Sequence, residues 1–312
     1  MKKYLFAVLL PIIILFAGGC GQESTKLKVG MLPIADNLPF WVAEQKGYFK
    51  EEGIEVELIA FPSALERDSA FTAKQIDAGI GDLIAVATMN NAGTKVKSVA
   101  VAQGISPGEN RFAILAAPNS DIKSVEQLKN VPIAMSLNTI NEYITDRMLT
   151  EKGLSQEDIK KIAVPKLPVR FDALMGGTVM AATLPDPMAT LAEIGGAHLI
   201  ADNSKNTLAQ TVVIVRQETL DKNDIDIEKL MKAYSRAVSD IQRNPDQFND
   251  ILMEEAKIPK NLLSSGNQLR FIYSAPELPK EEDVDAVIEW MLEHDLLKNK
   301  LTYDDMVYGK VL

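Results

Sequence analysis

The amino-acid sequence predicts an α/β fold in two lobes with a helical segment at the end of the chain. Three observations carry this. Strand-like and helix-like stretches alternate as far as Gln217, the pattern of mostly parallel sheets covered by helices. The alternation falls into two blocks, bounded by the short polar loops "GISPGEN" (104–110) and "DNSKNTLAQ" (202–210). From about Asp226 onward the pattern is nearly all helical.

Each element has a local cause. "KLKVGML" (26–32) is a first strand, and "NLPFWVAEQKGYF" (37–49) a helix with Asn37 as cap, Pro39 in its first turn and Gly47 as stop. "IEVELIAF" alternates as a strand. "SALERDSAFTAKQ" opens with Ser63 and Glu66, spaced as a capping box, and continues as a helix. "IDAGIGD" is a short strand, "LIAVATMNNAG" a helix ending near Gly93, and "KSVAVAQG" the strand that closes the first block. In the second block, "RFAILAA" and "VPIAMS" are strands around a short helix capped by Ser124 and Gln127. "TINEYITDRMLTEKGL" is a helix, since Thr139 and Glu142 make a capping box and Ile140, Ile144 and Met148 share one face. "KIAVPKL", "VMAATL" and "AHLIAD" are strands, "RFDALMGG" and "PMATLAEIGG" helices, and "TVVIVRQ" a last strand. Four helices follow, the third over "NLLSSGNQLRFIY" (261–273).

Two blocks and a helical tail admit two arrangements: lobes in tandem, or a chain that visits a second lobe and returns. The two polar loops favour the return, because a clamp concentrates its closing rotation in a few loop residues. The expected organisation is a leader at 1–19, an anchor and linker at 20–28, and the first part of lobe I at 29–108. Lobe II spans 109–206, and 207–312 returns to lobe I as a strand and the C-terminal helices.

The leader rests on Lys2 and Lys3, the apolar run Leu5–Phe16 and the small residues Ala17, Gly18 and Gly19. That run is shorter than the roughly 20 residues a membrane-spanning helix needs, and its layout is that of a signal peptide. "AGGC" resembles the lipobox of bacterial lipoproteins, which implies that Cys20 becomes the first mature residue and carries a lipid. An ordinary cleaved signal with an incidental cysteine is the alternative. Removing the leader takes two of the 33 Lys and Arg, leaving 31 against 43 Asp and Glu, a net charge of −12. Such a surface repels nucleic acid and anionic headgroups, so neither is an expected partner. Cys20 is the only cysteine, so no internal disulfide is possible and the core must hold the fold. The two histidines, His198 and His294, are far apart and lack helical ligand spacing, which argues against zinc. No metal or cofactor is expected.

"WVAEQKGYFKEEGIEVEL", "AGIGDLIAVA", "SLNTINEYITDRML" and "TLPDPMATLAE", in that order, resemble the periplasmic solute-binding proteins of nitrate, sulfonate, taurine and thiamine-precursor importers. The resemblance spans nearly the whole mature chain. It departs where Met180 stands for an aspartate and Asp186-Pro187 for Glu-Pro. It implies the type II periplasmic-binding fold and a monomeric, lipid-anchored receptor on the extracytoplasmic face of the membrane, serving an ABC permease. The same fold is used by cytosolic enzymes of pyrimidine and menaquinone precursor synthesis. Here, however, there is an export signal and no G-x-S-x-G, P-loop or metal motif, so an enzyme is not expected.

In open α/β sheets ligands sit beyond the carboxyl ends of strands, at helix N-termini. Four such junctions carry polar residues: Asp36, Asn37 and Trp41 after the first strand, and Asp82 after "AGIG". In the second block they are Ser136, Asn138 and Thr139 after "PIAM", and Asp186 after "ATL". Any of the small polar residues could simply cap its helix, and Trp41 could be either a stacking wall or core. Asp82 and Asp186 lean the ligand toward an amino-bearing heterocycle, such as a pyrimidine precursor of thiamine, because carboxylates beside a bound anion are costly. Arg111, at the first loop, could reverse that by pairing with an anionic ligand, of the sulfonate or nitrate kind.

Overall fold

The computed structural model describes residues 26–263 and 269–312. The leader and Cys20 lie outside the described residues. In chain order the strands are β1 (Leu27–Met31), β2 (Val56–Ala60), β3 (Ala78–Asp82), β4 (Val96–Gln103), β5 (Phe112–Ala116), β6 (Pro132–Met135), β7 (Lys160–Ala163), β8 (Ala181–Pro185), β9 (His198–Asp202) and β10 (Thr211–Arg216). The helices are α1 (Leu38–Gln45), α2 (Tyr48–Glu51), α3 (Ala64–Thr72), α4 (Leu83–Asn91), α5 (Ile140–Glu151) and α6 (Leu167–Met175). After them come α7 (Met188–Ile194), α8 (Gln217–Arg243), α9 (Asn249–Glu254), α10 (Lys260–Leu263), α11 (Glu281–Glu293) and α12 (Tyr303–Met306). Because β1 begins at Leu27, the last residues expected in the linker are already strand.

The strands form two five-stranded sheets, ordered β2-β1-β3-β10-β4 and β7-β6-β8-β5-β9. In each sheet four strands run one way and one runs against them. The reversed strands are β10, antiparallel to β3 and β4, and β5, antiparallel to β8 and β9. They are the two strands that enter a sheet straight from a crossing, so the sheets are mixed rather than built from crossover units alone. The chain leaves the first sheet after β4, builds the second with β5–β9, and returns through β10.

The crossings lie side by side. Asn110 Nδ2 donates to Ala209 O at 2.9 Å, Asn203 Nδ2 to Asn110 O at 3.3 Å, and Phe112 N to Asn203 Oδ1 at 2.6 Å. Gly104 is required here: its φ is +93°, and a Cβ would sit 2.4 Å from Ala209 O. Glu109, almost fully buried, accepts from the N–H groups of Gly104 and Ile105 and from the Ser274 hydroxyl, which pins the first crossing.

Local chemistry explains most element ends. Gly47, at φ +75°, stops α1, and Ser63 Oγ accepts the Glu66 N–H to start α3. Four expectations change. The helix expected around Ser124 is a single 3₁₀ turn, Glu126–Leu128, with Gln127 Oε1 accepting from the amides of Lys123 and Ser124. Pro168 fits a first turn, so α6 starts at Leu167 rather than Arg170. Helix α8 starts directly at the end of β10, and a kink at Asn223 (φ −145°) separates its first turns from the amphipathic stretch visible in the sequence. The helix expected over 261–273 is only α10. Residues 269–280 instead run as an irregular strap, in which Tyr273 Oη donates to Ala35 O at 2.7 Å, Gln103 Nε2 to Ile272 O and Val101 N to Glu277 O. Tyr273 spends its side chain on the core, and Pro276 and Pro279 have no N–H to continue a helix.

Helices α8 and α9 and the strap cover one face of the first sheet, packing Leu230, Tyr234, Phe248 and Tyr273 with Phe40 and Trp41. A second apolar cluster contains residues of both lobes. Ile84, Val101 and Ile214 belong to the first sheet and α4, Ile133, Ile144 and Met148 to the second sheet and α5, and Val287, Trp290 and Met291 to α11. The lobes therefore meet through buried hydrocarbon as well as through the crossings.

Candidate functional site

Two cavities lie along the seam between the lobes. The first joins Asp82 and Leu83 of the β3–α4 junction to Ile140 and Tyr143 of α5, with Gln210 of the second crossing and Asp283 of α11. The second joins Asp36 to Asp186, with Asn110 and Arg111 of the first crossing and Phe271 and Ile272 of the strap. Each draws on both lobes. The structure thus brings Asp36 and Asp186 together in one cavity and sets Asp82 against α5 in the other.

Asp82 ends β3 and caps α4, its Oδ1 accepting the Ala85 N–H at 2.8 Å. Burial pushes its carboxyl above the usual range, against the pull of that N–H and of Arg67. Asp36 accepts the Thr211 hydroxyl at 2.7 Å, and burial raises its carboxyl too, with Thr211 working against the shift. Asp186 accepts from the Thr190 N–H at 3.0 Å and hydroxyl at 2.7 Å, at the start of α7.

The other expected residues lie elsewhere. Asn37 is fully buried, and its side chain donates to Leu32 O at 2.7 Å instead of capping α1. Trp41 is packed in the lobe I core and lines neither cavity. The capping box expected of Thr139 and Glu142 is not formed: Thr139 Oγ1 accepts the Asn141 N–H, one residue short of Glu142, and Ser136 O accepts from the Thr139 hydroxyl. Asn138 is exposed in the left-handed region (φ +58°), and its N–H donates to Glu142 Oε2 at 2.6 Å. These three shape the α5 end of the seam without lining a cavity.

At three of the four junctions an acid of this chain accepts an N–H at or just before the helix start, while α1, beside Asp36, has no side-chain cap. Asp82 takes one first-turn N–H of α4, Glu142 the Asn138 N–H before α5, and Asp186 one first-turn N–H of α7. Arg111 is similarly taken. Its Nε donates to Asp202 at 2.9 Å and its Nη2 to Glu193 at 2.8 Å, and Nη1 stands 3.5 Å from Asp186. Burial would lower the guanidinium's proton affinity, but Asp186, Glu193 and Asp202 together raise it. A cation held by three carboxylates has little charge left for an anion.

Gln210, Asp283 and Tyr143 were not foreseen. Gln210 Nε2 donates to Asp283 Oδ2 at 2.8 Å, which fixes the amide so that Oε1 is the atom left. That Oε1 is buried without a protein donor among the described residues. Only the polar loop 202–210 hinted at Gln210, and nothing in the tail hinted at Asp283. Among the described residues no group of three His, Cys, Asp or Glu is placed to hold a metal, and no helix is long and apolar enough to cross a membrane.

Residues 35–248 match the model of the family described as NMT1/THI5 like. A Brachyspira hyodysenteriae (strain ATCC 49526 / WA1) protein, assigned as an ABC transporter periplasmic binding protein, is 22% identical over 239 residues, covering 72% of this chain and 67% of its own. The alkanesulfonate-binding protein SsuA of Xanthomonas axonopodis pv. citri, bound to MOPS, superposes with a TM-score of 0.77 at 18% identity, over 91% of this chain and 98% of that one. The periplasmic nitrate-binding protein NrtA of Synechocystis PCC 6803 gives 0.73 at 15% identity, over 93% and 87%. These superpositions identify the two-lobed periplasmic-binding fold.

Proposed function

The chain belongs to the NMT1/THI5-like family, and from that premise we propose that it is an extracytoplasmic receptor that captures a small molecule between its lobes and delivers it to an ABC import permease. Lobe I is taken as 29–108 with 207–312 and lobe II as 109–206, joined at 104–110 and 202–210. The protein acts as a monomer tethered through lipid on Cys20, and as a carrier rather than an enzyme. Support comes from the assignment of the Brachyspira relative and from seam cavities that draw residues from both lobes.

The ligand class follows from what the seam lacks. An oxyanion needs free helix N–H groups or a free guanidinium. Asp82 takes one first-turn N–H of α4 and Asp186 one of α7, Thr139 takes one of α5 with Glu142 on the Asn138 N–H before it, and Arg111 is held by three carboxylates. Acceptors remain: Asp36, Asp82, Asp186 and the orphan Gln210 Oε1. A ligand rich in N–H donors suits them, and an amino-bearing heterocycle such as a pyrimidine precursor of thiamine is the reading they favour. The acids at the starts of α4 and α7 are the single observation that carries it. The second reading, a sulfonate or nitrate receptor, draws on what the superposed SsuA and NrtA are named for binding.

Native mass spectrometry of ligand co-purified with the protein, followed by calorimetric titration of that compound, tests the choice. Asp82→Ala and Asp186→Ala each remove a charged acceptor worth about 1.5–3 kcal/mol, so affinity should fall roughly tenfold or more. A co-purified sulfonate or nitrate, bound more tightly by both variants, would establish the second reading instead.

A further inference from the structure

One arginine of lobe II is buried with donors unmet. Arg170, in the first turn of α6, is 1% exposed, yet its Nε and Nη1 meet no acceptor among the described residues. Arg67, Arg111 and Arg216, also mostly out of water, each meet a carboxylate: Asp68 at 2.6 Å, Glu193 at 2.8 Å and Asp77 at 2.7 Å. Burial acts on Arg170 with nothing opposing it and pulls the guanidinium down to about 10, so it is still a cation at neutral pH. An uncompensated buried charge is strongly destabilising, and an occupant that supplies the opposite charge removes the cost.

The topology places this guanidinium at the edge where the lobes meet. Strands β6 and β7 run parallel and end in register, Met135 against Ala163, and Val164 N donates to Met135 O at 2.8 Å. The exit from β7 therefore lies beside the exit from β6, on the carboxyl edge of the sheet where α5 and α7 also begin. Asp186, on that edge, shares the second cavity with Asp36 of lobe I. Helix α6 packs on β8 and α7, and its buried residues are Arg170 and Leu174, one turn apart on one face. Leu174 fills the lobe II core with Ala182, Leu184 and Ala189. Arg170 lies one turn nearer the edge, and helical side chains lean toward the N-terminus, so its head is carried to the start of α6. That start has no side-chain cap, in contrast to α4 and α5.

The charge around it has one sign. Between Asp158 and Asp172 the chain carries Lys160, Lys161, Lys166 and Arg170 and no acid, in a protein whose net charge is −10. Lys161 is held by Glu142 and Asp146, but Lys166 is exposed at the position before α6. Asp172 is exposed and, two residues along the helix, does not face Arg170.

We propose that Arg170 and the uncapped start of α6 form a binding site for a small oxyanion: a carboxylate, sulfonate or phosphate group. A neutral acceptor would satisfy hydrogen bonds and leave the charge uncompensated. An oxyanion meets the three N–H protons of Nε and Nη1, the charge, and the positive end of the helix together. Arg170 lines neither seam cavity, so the acceptors there and an anion here are compatible. The group is a free anion or the acidic end of the captured molecule, and the site does not depend on the receptor reading.

Thermal melts of the full chain in methanesulfonate, acetate or phosphate, against chloride at equal ionic strength, test the site. The wild-type melting temperature should rise to a plateau with at least one of the three and not with chloride. Arg170→Met should melt higher than wild type in chloride, by about 2 °C or more, because hydrocarbon replaces an unpaired buried charge, and should lose the plateau. Arg170→Lys keeps a charge without the planar fork and should weaken the response. Calorimetry of the co-purified compound separates the two sources. A roughly tenfold or greater loss of affinity in Arg170→Met makes the oxyanion that compound's acidic end, and unchanged affinity makes it a free anion. A wild type that melts alike in all four salts overturns the proposal. So does an Arg170→Met chain that melts lower than wild type and keeps the anion response. The receptor reading is decided by what co-purifies, so the two fail separately.

Discussion

Replacing Arg111 by methionine is the sharpest perturbation available, because it removes one charge from among three. The arginine side chain is 18% exposed, and Asp186, Glu193 and Asp202 are 9%, 31% and 20% exposed, so the cluster is mostly out of water. Methionine keeps much of the packing of the aliphatic stem and deletes two charge-assisted hydrogen bonds and one longer ion pair. Removing one partner of a buried pair costs about 3–5 kcal/mol. The partial exposure argues for the lower end, about 3 kcal/mol, or a melting temperature lower by roughly 6–12 °C at pH 7. Acid should narrow the gap. Asp202 sits below the usual carboxylate range: burial would raise it, but the Ser204 hydroxyl and Arg111 prevail. A depressed carboxyl stabilises the fold above the unfolded pKa, about 3.9, and that contribution disappears as pH falls through the folded value. Part of it depends on Arg111, so the two melting curves should converge below about pH 4. Thermal melts at pH 7 and 3.5 make the comparison. If the variant melts within about 1 °C of wild type at pH 7 and loses its ligand, Arg111 is a ligand clamp and the structural reading fails.

Two further outcomes follow from placements described above. Trp41→Ala should cost about 3–5 kcal/mol in denaturant melts by opening a hole in the lobe I core, while calorimetric affinity at low temperature stays within about twofold; a large loss of affinity with little loss of stability would put the ring in the cleft. Cys20→Ser should move the protein out of the membrane fraction or leave its leader uncleaved, as read by fractionation and intact mass. Wild-type protein that is fully soluble and still carries residues 1–19 would refute the anchor.

What could be read in the sequence was whatever depends on near neighbours. Asp82 stood out as a polar residue between a strand and a helix, and the structure gives it a cap as well as a cavity wall. The alternation marked all ten strands, because burial pattern and turn residues are local. Gln210 and Asp283 could not be paired that way, since 73 residues separate them and neither lies on a patterned face. Arg111 was visible, but its three partners were not: Glu193 is 82 and Asp202 91 residues away. The strap failed for a related reason. Its apolar residues have helical spacing in isolation, and only the lobe I core shows that Tyr273 is needed at Ala35.

The paired crossings have a mechanical consequence. A single flexible strand joining two bodies would let them swing, twist and slide. Two strands cross-bonded through Asn110, Asn203 and Ala209, one of them braced by buried Glu109, behave as a strip that bends easily about one axis and resists torsion. In the proposed receptor, lobe II would then travel on an arc and present the same wall to a ligand each time. On that reading the two walls set the fit before contact, and a slightly wider molecule should bind measurably worse.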